Sequence, residues 1–438
     1  MSALARWFNA NKFNVVGYDK TTTELTDSLL SEGIIVHFED SKDNIPADFM
    51  ANNTLVIYTP AIPASHSQYN YFVNAGYEVK KRAEVLGMIS STMFTVAIAG
   101  THGKTTTSSM IAHLLKSSGV DTTAFLGGIA TNYNSNLVLG KSTDAIAVIE
   151  ADEYDKSFLQ LSPDIEVITS VDADHLDIYG DEEQMQSTYK QFYSRLKPDG
   201  QCIIASGAQK SMQLSQVDVY GDGESITADN LIIVEGKYRF DYVNGTHRIE
   251  DIQLSLPGNH NTENALAAIT VATALGVSDA NIKLGFDTYK GVKRRFEYII
   301  ETPDFTFIDD YAHHPAEIEA FISTLKALYP EKFIQVIFQP HLFSRTQDFA
   351  NEFSISLSKA DSVILMDIYP ARELPIKGVT SEILFDKITS EDKAILNTDE
   401  ILKLLDDKKP EVLATIGAGN IDALVPQIKE LITKTMVI

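Results

Sequence analysis

Cysteine and tryptophan are almost absent from this sequence. Its 438 residues include a single cysteine, Cys202, and a single tryptophan. One cysteine excludes an intrachain disulfide and is typical of a reducing compartment, so we expect a cytoplasmic protein. No run approaches the roughly 20 consecutive apolar residues that a membrane-spanning helix needs, so we expect no membrane partner.

Basic residues are also few relative to acidic ones. Lys and Arg total 36 against 60 Asp and Glu, which gives a formal net charge of −24. A chain this acidic repels phosphate backbones at long range, so we expect no nucleic-acid partner. Any anionic ligand must therefore be held by a local cluster of donors. The hydrophobic fraction of 44% is ordinary for a globular protein, and the length predicts about three domains.

Short apolar runs alternate with segments of helical period along most of the chain. Strands are predicted at 94–99, 145–149 and 167–171, and a helix over 105–117. This alternation predicts an α/β fold with mostly parallel sheets that are covered by helices. The predicted domains span 1–91, 92–295 and 296–438.

The sharpest local signal is AGTHGKTTT, between a predicted strand and a predicted helix. Gly100 and Gly103 allow backbone N–H groups to face phosphate oxygens, and the helix N-terminus adds roughly half a positive charge. Ile98 replaces the first glycine of the longer G-x-x-x-x-G-K-[ST] pattern, but the context favours a phosphate loop over a chance glycine-rich turn. We assign to nucleotide binding Gly100, Thr101, His102, Gly103, Lys104, Thr105 and Thr106.

Two further strands end in acidic segments. Glu150 closes the strand predicted at 145–149, within IEADE, and His175 follows the next strand, within DADHLD. Because ligands of open α/β sheets bind at the carboxyl ends of strands, we expect Glu150 and a neutral His175 to bind Mg²⁺ beside the loop. Solvated loop charges or helix caps explain the neighbouring aspartates equally well.

Two other polar clusters have more than one interpretation. Asn261 and Asn264 fall on one turn of a predicted helix, where paired amides can bind a purine or cap the helix, and the residues alone favour neither. Lys293, Arg294 and Arg295 lie at a predicted domain boundary. Arginine suits phosphate contacts, but in isolation a solvated charge run is the better interpretation.

Seven segments occur in a recognisable order: AGTHGKTTT, IEADE, DADHLD, PGNHNTENALAA, GVKRRFE, DDYAHHPAE and FQPHLFSRT. Together they resemble the Mur ligases, ATP-dependent amide-bond-forming enzymes of peptidoglycan precursor synthesis. The resemblance covers essentially the whole chain. It implies a Rossmann-like N-terminal domain that binds a UDP-sugar, a central P-loop ATPase-like domain with a mostly parallel sheet, and a Rossmann-like C-terminal domain that binds an amino acid.

The resemblance also implies a reaction. DDYAHHPAE, FQPHLFSRT and GAGNI are similar to the family members that join L-alanine to the lactyl carboxylate of UDP-N-acetylmuramate. The implied route uses ATP and Mg²⁺ and passes through an acyl phosphate. The implied partners are these small molecules, and the oligomeric state stays open.

Individual roles are carried over from the same resemblance. Lys104 would hold the γ-phosphate, Arg295 would clamp the transferred phosphoryl group, and His313 and Arg345 would lie near the incoming amino acid. The metal ligands would be Thr105, Glu150 and His175. Further nucleotide contacts would be His260, Asn261, Asn264, Arg295 and Asp310.

Three features depart from the family pattern. The family places a strand and a Gly-rich loop before the segment MSALA, with which this sequence begins, so we expect the first domain's sheet to lack one strand. Leu342 stands where arginine is often found, which shifts the grip on the amino acid toward Arg345. Several members use a carbamylated lysine to orient Mg²⁺. The alignment with their sequences favours Phe192 over Lys190 at the matching position, so we assign no carbamylated lysine.

Two alternatives remain open. A ligase of the same architecture that joins a preformed tripeptide to the UDP-sugar, in murein recycling, would share the phosphate loop and the histidine pair. FQPHLFSRT and GAGNI argue against it. A non-catalytic UDP-sugar- or nucleotide-binding protein would not need the intact set of Lys104, Glu150, His175 and Arg295.

Overall fold

The computed structural model describes residues 1–172, 179, 181–234, 236–371 and 373–436, and it confirms the α/β class. The chain forms two compact units. The first unit consists of Met1–Asn230, Phe240–Gln253 and Glu263–Lys290. The second consists of Leu231–Arg239, Leu254–Thr262 and Gly291–Ile438. In the described part, no helix combines the length and the apolar character needed to cross a bilayer.

The N-terminal part of the first unit contains short, alternating helices and strands. The strands pair in parallel as β1 with β2 and β3 with β4, so they form two separate pairs rather than one sheet. The sequence-based expectation that the first domain lacks one strand stays a prediction. The elements are α1 (Ser2–Ala10), β1 (Val16–Tyr18), α2 (Glu24–Ser31), β2 (Ile35–His37), β3 (Leu55–Tyr58), α3 (Ser67–Asn74), β4 (Glu78–Lys81) and α4 (Arg82–Thr92).

A ten-stranded sheet follows, in the order β14-β13-β12-β11-β10-β9-β5-β8-β6-β7. The strands from β12 to β6 pair in parallel, and β7 is antiparallel to β6. The strands are β5 (Thr95–Ala99), β6 (Thr122–Ala130), β7 (Ser135–Val138), β8 (Ile146–Glu150), β9 (Ile165–Ile168), β10 (Gln201–Ala205), β11 (Asp218–Tyr220), β12 (Ile226–Val234), β13 (Lys237–Asn244) and β14 (His247–Leu254).

The helices that go with this sheet carry the predicted phosphate-loop context. The predicted strand at 94–99 and helix over 105–117 are present as β5 and α5, and every residue of β5 is buried. Burial on both faces is expected for a central parallel strand and explains its unbroken apolar run. The helices are α5 (Lys104–Ser117), α6 (Glu182–Tyr193), α7 (Ser206–Met212), α8 (Asn259–Ala274) and α9 (Asp279–Thr288).

The second unit is built on a six-stranded sheet in the order β15-β16-β20-β17-β18-β19. Only the edge strand β15 is antiparallel to its neighbour. The strands are β15 (Glu297–Glu301), β16 (Thr306–Asp310), β17 (Ile334–Phe338), β18 (Ser362–Leu365), β19 (Asp392–Ile395) and β20 (Val412–Ile416). The helices are α10 (Pro315–Leu328), α11 (Phe343–Asp348), α12 (Ala350–Leu357), α13 (Glu382–Phe385), α14 (Thr398–Asp407) and α15 (Leu424–Met436).

One residue of the large sheet conflicts with its surroundings. Glu166, in β9, is 0% exposed, and neither carboxylate oxygen has a hydrogen-bond partner among the described residues. Its register neighbour on β10 is the buried Cys202. Burial raises the pKa of Glu166 well above its usual value, because the charged form loses its hydration. The folded chain therefore favours a neutral glutamic acid here.

We predict that Glu166→Leu stabilises the first unit. An apolar side chain removes a buried, unsatisfied polar group, which is worth about 1–3 kcal/mol in the free energy of unfolding. Because the pKa of the native carboxyl is raised, its contribution to the free energy of unfolding is most favourable below the unfolded pKa of about 4.3. This contribution is lost as pH rises through the folded pKa. Urea unfolding at pH 5 and pH 8 should show the variant's advantage growing with pH.

The matched control is Glu301→Leu, on the exposed part of β15, which should change stability little at either pH. A wild-type chain as stable as the Glu166→Leu variant at pH 8 would contradict the prediction.

Candidate active site

The loop between β5 and α5 needs glycine at two positions. Gly100 has φ 141°, and a Cβ there would lie 2.1 Å from Thr169 Oγ1 and 2.8 Å from the Ser170 nitrogen. Gly103 has φ 81°, and a Cβ would lie 2.6 Å from Asn264 Oδ1. Both the left-handed backbone and the close approach exclude a side chain.

The loop is braced by the residues that follow β9. The Thr101 N–H donates to the Ser170 carbonyl at 3.2 Å, and the His102 N–H donates to Ser170 Oγ at 2.8 Å. Thr101 Oγ1 donates to the Asp172 carbonyl at 2.9 Å. These contacts explain why β9 ends at Ile168, earlier than the predicted strand over 167–171. Thr105 and Thr106 lie in the first turn of α5, whose N–H groups have no intrahelical acceptor.

The Lys104 ammonium lies inside this loop. Its Nζ donates to the carbonyls of Gly100 at 2.6 Å and Thr101 at 3.2 Å, and to Glu153 Oε1 at 2.8 Å. Burial raises the pKa of Glu153, while Lys104 opposes that rise. Sequence reasoning gave Glu153 no role, although it is the last carboxylate of the IEADE segment.

Glu150 is the last residue of β8 and lies at the carboxyl ends of the strands, where the phosphate loop begins. In register, Ile98 of β5 is flanked by Glu150 on β8. The Gly127 N–H of β6 donates to Glu150 Oε2 at 2.8 Å, and a Cβ on Gly127 would lie 2.1 Å from Oε1. A glycine on the neighbouring strand is therefore what leaves room for this carboxylate, and sequence reasoning did not identify it.

The predicted metal ligands are placed only in part. Thr105 and Glu150 offer hydroxyl and carboxylate oxygens, the hard donors that Mg²⁺ prefers. His175, the third predicted ligand, lies outside the described residues. Among the residues that the structure does describe, no three or more His, Cys, Asp or Glu side chains form a group that can hold a metal ion. The donor chemistry fits Mg²⁺, and the ligand set stays a prediction.

The amide pair predicted to meet the adenine begins α8. Asn264 is buried, and its Oδ1 accepts a hydrogen bond from Thr107 Oγ1 at 3.0 Å, so it packs on the first turns of α5. Asn261 is also buried and donates from Nδ2 to the Pro257 carbonyl at 2.7 Å. His260 is exposed in the first turn of the same helix. A contact of these residues with adenine stays a prediction.

The basic group at 293–295 separates into two roles in the second unit. Arg294 Nε lies 3.1 Å from Asp309 Oδ2, and Arg294 Nη2 donates to the Gly417 carbonyl. Burial raises the pKa of Asp309 to about 6, and Arg294 opposes this. Arg294 thus fixes the start of the unit to β16 and to the loop after β20. The sequence predicted a specific role only for its neighbour, Arg295.

Arg295 shares one contact with Arg294, because the guanidinium carbon of each lies 5.2 Å from the centre of the Tyr311 ring. Asp310, the predicted nucleotide contact, accepts backbone N–H groups from Phe296 at 2.6 Å and Ala312 at 2.8 Å. Burial raises the pKa of Asp310 to about 6, and Arg295 opposes this. Asp310 therefore orients the backbone around Arg295.

His313 and Arg345 lie near one another in the second unit. Burial lowers the pKa of His313 to about 4, although Glu317 opposes this, and Arg345 adds a smaller lowering. Arg345 lies on α11, and its Nη1 is buried with no hydrogen-bond partner among the described residues. A buried guanidinium N–H without an acceptor favours an anionic ligand, because leaving it unpaired is costly.

Leu342 caps the helix that carries Arg345. Its φ is 71°, outside the range that a leucine normally adopts, and its N–H donates to the Tyr369 carbonyl at 2.9 Å. Ser344, in the first turn of α11, donates from its backbone N–H to Glu373 Oε2 at 3.0 Å. The strained backbone is therefore held by contacts on both sides.

A cavity of about 430 Å³ lies in the first unit. Its lining includes Tyr58 at the end of β3, Lys81 at the end of β4, and Gln160. Lys81 also pairs with Asp155 at 3.0 Å. The cavity therefore lies where the N-terminal strands meet the segment that follows β8.

We predict that Gly100→Ala abolishes ATP binding. The new methyl group would overlap Thr169 and Ser170, so the loop would have to leave its position. Gly119→Ala is the matched control, because Gly119 has φ 84° but no atom within 4 Å of the added carbon. Calorimetric titration with ATP should show binding retained in the control and lost in Gly100→Ala; equal affinities would contradict the prediction.

Comparison with known proteins gives a consistent result along the whole chain. Residues 1–93 match the model described as Mur ligase family, catalytic domain, and residues 98–272 match the Mur ligase middle domain. Residues 294–419 match the model described as Mur ligase, glutamate ligase domain. The UDP-N-acetylmuramate–L-alanine ligase of Flavobacterium psychrophilum is 48% identical over 431 residues, which are 98% of this chain and 95% of that protein.

Solved structures agree. A crystal structure of UDP-N-acetylmuramate–alanine ligase from Thermotoga maritima superposes with a TM-score of 0.84 at 26% identity, covering 99% of this chain and 97% of that one. A murein peptide ligase from Psychrobacter arcticus gives a TM-score of 0.69 at 21% identity, covering 98% and 96%. The second likeness is one of fold alone.

Proposed function

The chain belongs to the Mur ligase family, and we propose that it joins L-alanine to the lactyl carboxylate of UDP-N-acetylmuramate at the expense of ATP. The observation that carries the proposal is the 48% identity, over 98% of the chain, to a protein named for this reaction. The carboxylate attacks the γ-phosphate to give an acyl phosphate and ADP. The amine of alanine then attacks the acyl carbon, and the amide forms with loss of phosphate.

The phosphoryl-transfer step is assigned to the loop after β5. ATP and a carboxylate must approach each other within a chain of net charge −24, so local cations have to offset their repulsion. The proposal gives this role to Lys104, to the N-terminus of α5 and to Arg295. Electrostatic stabilisation of this kind is the main catalytic resource in phosphoryl transfer.

Mg²⁺ is part of the proposal. Thr105, Glu150 and His175 would hold it, and their donor atoms suit a hard cation. When bound, the ion would neutralise charge on the phosphates. The support is the Glu150 carboxylate, fixed beside the loop by Gly127.

The amino-acid end of the reaction is assigned to Arg345 and His313. The unpaired Nη1 of Arg345 is suited to the carboxylate of alanine. His313, with a pKa of about 4, is neutral at pH 7 and so does not repel the ammonium group of the incoming alanine. Because Leu342 stands where the family often has an arginine, binding of the substrate in this segment is assigned to Arg345.

The UDP-sugar is assigned to the first unit. The cavity beside Tyr58 and Lys81 is large enough for part of such a ligand, and its lining carries two lysines, Lys81 and Lys156, beside the carboxylates of Glu84 and Asp155. The nucleotide substrates and the single cysteine, Cys202, support a cytoplasmic location for the reaction.

The deciding experiment measures phosphate release with UDP-N-acetylmuramate, ATP and Mg²⁺, adding either L-alanine or a wall tripeptide. Release with alanine, abolished in Lys104→Ala, is the expected result. Release only with tripeptide would identify a recycling ligase instead. ATP binding without turnover in either mixture would indicate a non-catalytic binding protein.

We predict that Arg345→Gln raises KM for L-alanine by about ten- to a hundredfold, the range for a lost charged hydrogen bond. ATP affinity should stay unchanged, because the substitution removes no group of the phosphate loop. Steady-state kinetics with alanine as the varied substrate provide the measurement. Arg248→Gln, on an exposed hairpin, serves as the control, and an unchanged KM in Arg345→Gln would contradict the assignment.

A further inference from the structure

Glu153 has no role in the reaction as described above, yet it contacts the central cation of the phosphate loop. Both carboxylate oxygens lie 2.8 Å from Lys104 Nζ. The pair is largely shielded from water, with the glutamate side chain 5% and the lysine side chain 14% exposed. Charges that are removed from water in this way interact far more strongly than a surface pair.

The segment around Glu153 is fixed on both sides. The Tyr179 hydroxyl donates to the Glu153 carbonyl at 2.5 Å, and the Lys156 N–H donates to the same carbonyl at 2.9 Å. Asp155 and Lys156 have φ values of 54° and 55°, which non-glycine residues adopt only where the surroundings impose them. Glu153 is therefore presented by a rigid turn rather than by a loose loop.

The geometry has a consequence for the lysine. A free lysine side chain has about 2 kcal/mol of rotamer entropy, which it would lose on meeting a phosphate. Here the Gly100 and Thr101 carbonyls and Glu153 already order the ammonium inside the loop. Without its counter-ion, this partly buried ammonium would turn toward solvent, where other carboxylates of this acidic chain compete for it.

We infer that Glu153 is a positioning residue that holds the Lys104 ammonium in the phosphate loop and thereby strengthens the binding of ATP. Glu153 acts through Lys104 and does not itself contact the nucleotide. The inference rests on the proposed function only in taking ATP as the ligand of the loop.

The test is a double-mutant cycle on the full chain, with ATP binding measured by calorimetry in the absence of UDP-sugar and alanine. Glu153→Gln should weaken ATP binding by about fivefold or more, as expected for a lost charged contact. Lys104→Ala should weaken it further. In the Lys104→Ala background, Glu153→Gln should have no additional effect, because the residue through which it acts is gone.

Two further variants separate positioning from folding. Glu153→Asp keeps the charge and should recover part of the affinity lost in Glu153→Gln. Glu319→Gln breaks an exposed ion pair with Lys359 in the second unit and should leave ATP affinity unchanged. Circular dichroism of every variant reports whether the chain is folded.

Three results would overturn the inference. ATP binding that is unchanged or tighter in Glu153→Gln would mean that the carboxylate is idle or competes with phosphate. Equal losses from Glu153→Gln with and without Lys104 would indicate a merely structural role. A wild-type chain that binds no ATP would refute both this inference and the proposed function, whereas the expected cycle without alanine-dependent turnover would refute the function alone.

Discussion

The close approach of the loop backbone at Gly100 to Thr169 and Ser170 is the constraint on which the first unit's site depends. Because β5 lies between β8 and β9, the loop that leaves β5 must cross the residues that follow β9. The loop can do so only without a side chain at position 100. The direction of α5, and with it the position of Lys104, follows from this crossing.

The overall charge of −24 makes the placement of single cations decisive. In the first unit, Lys104 is held by two carbonyls and a carboxylate inside the loop. In the second, Arg294 and Arg295 both pack on Tyr311, and Arg294 is further tied to Asp309. Both units thus carry ordered basic groups within an acidic chain, as the binding of anionic substrates requires.

The buried carboxylates differ in whether a nearby group compensates their charge. Glu153 and Asp309 have a cation within ion-pair distance, and Asp310 accepts two backbone N–H groups. Burial raises the pKa of each, and the nearby basic group opposes that rise. Glu166 has no such partner among the described residues. Nothing in the structure explains why a glutamate stands there.

Local pattern alone determined the fold class and the strand–loop–helix unit around Lys104, because a buried parallel strand, a glycine turn and a helix start are all encoded by neighbouring residues. Which distant side chains meet was decided only by the tertiary structure. Glu153 reaches Lys104 across 49 positions, and Asn264 reaches Thr107 across 157. Such pairs leave no periodic trace in the sequence, since their proximity arises from which strands become neighbours in the sheet and from how the helices pack.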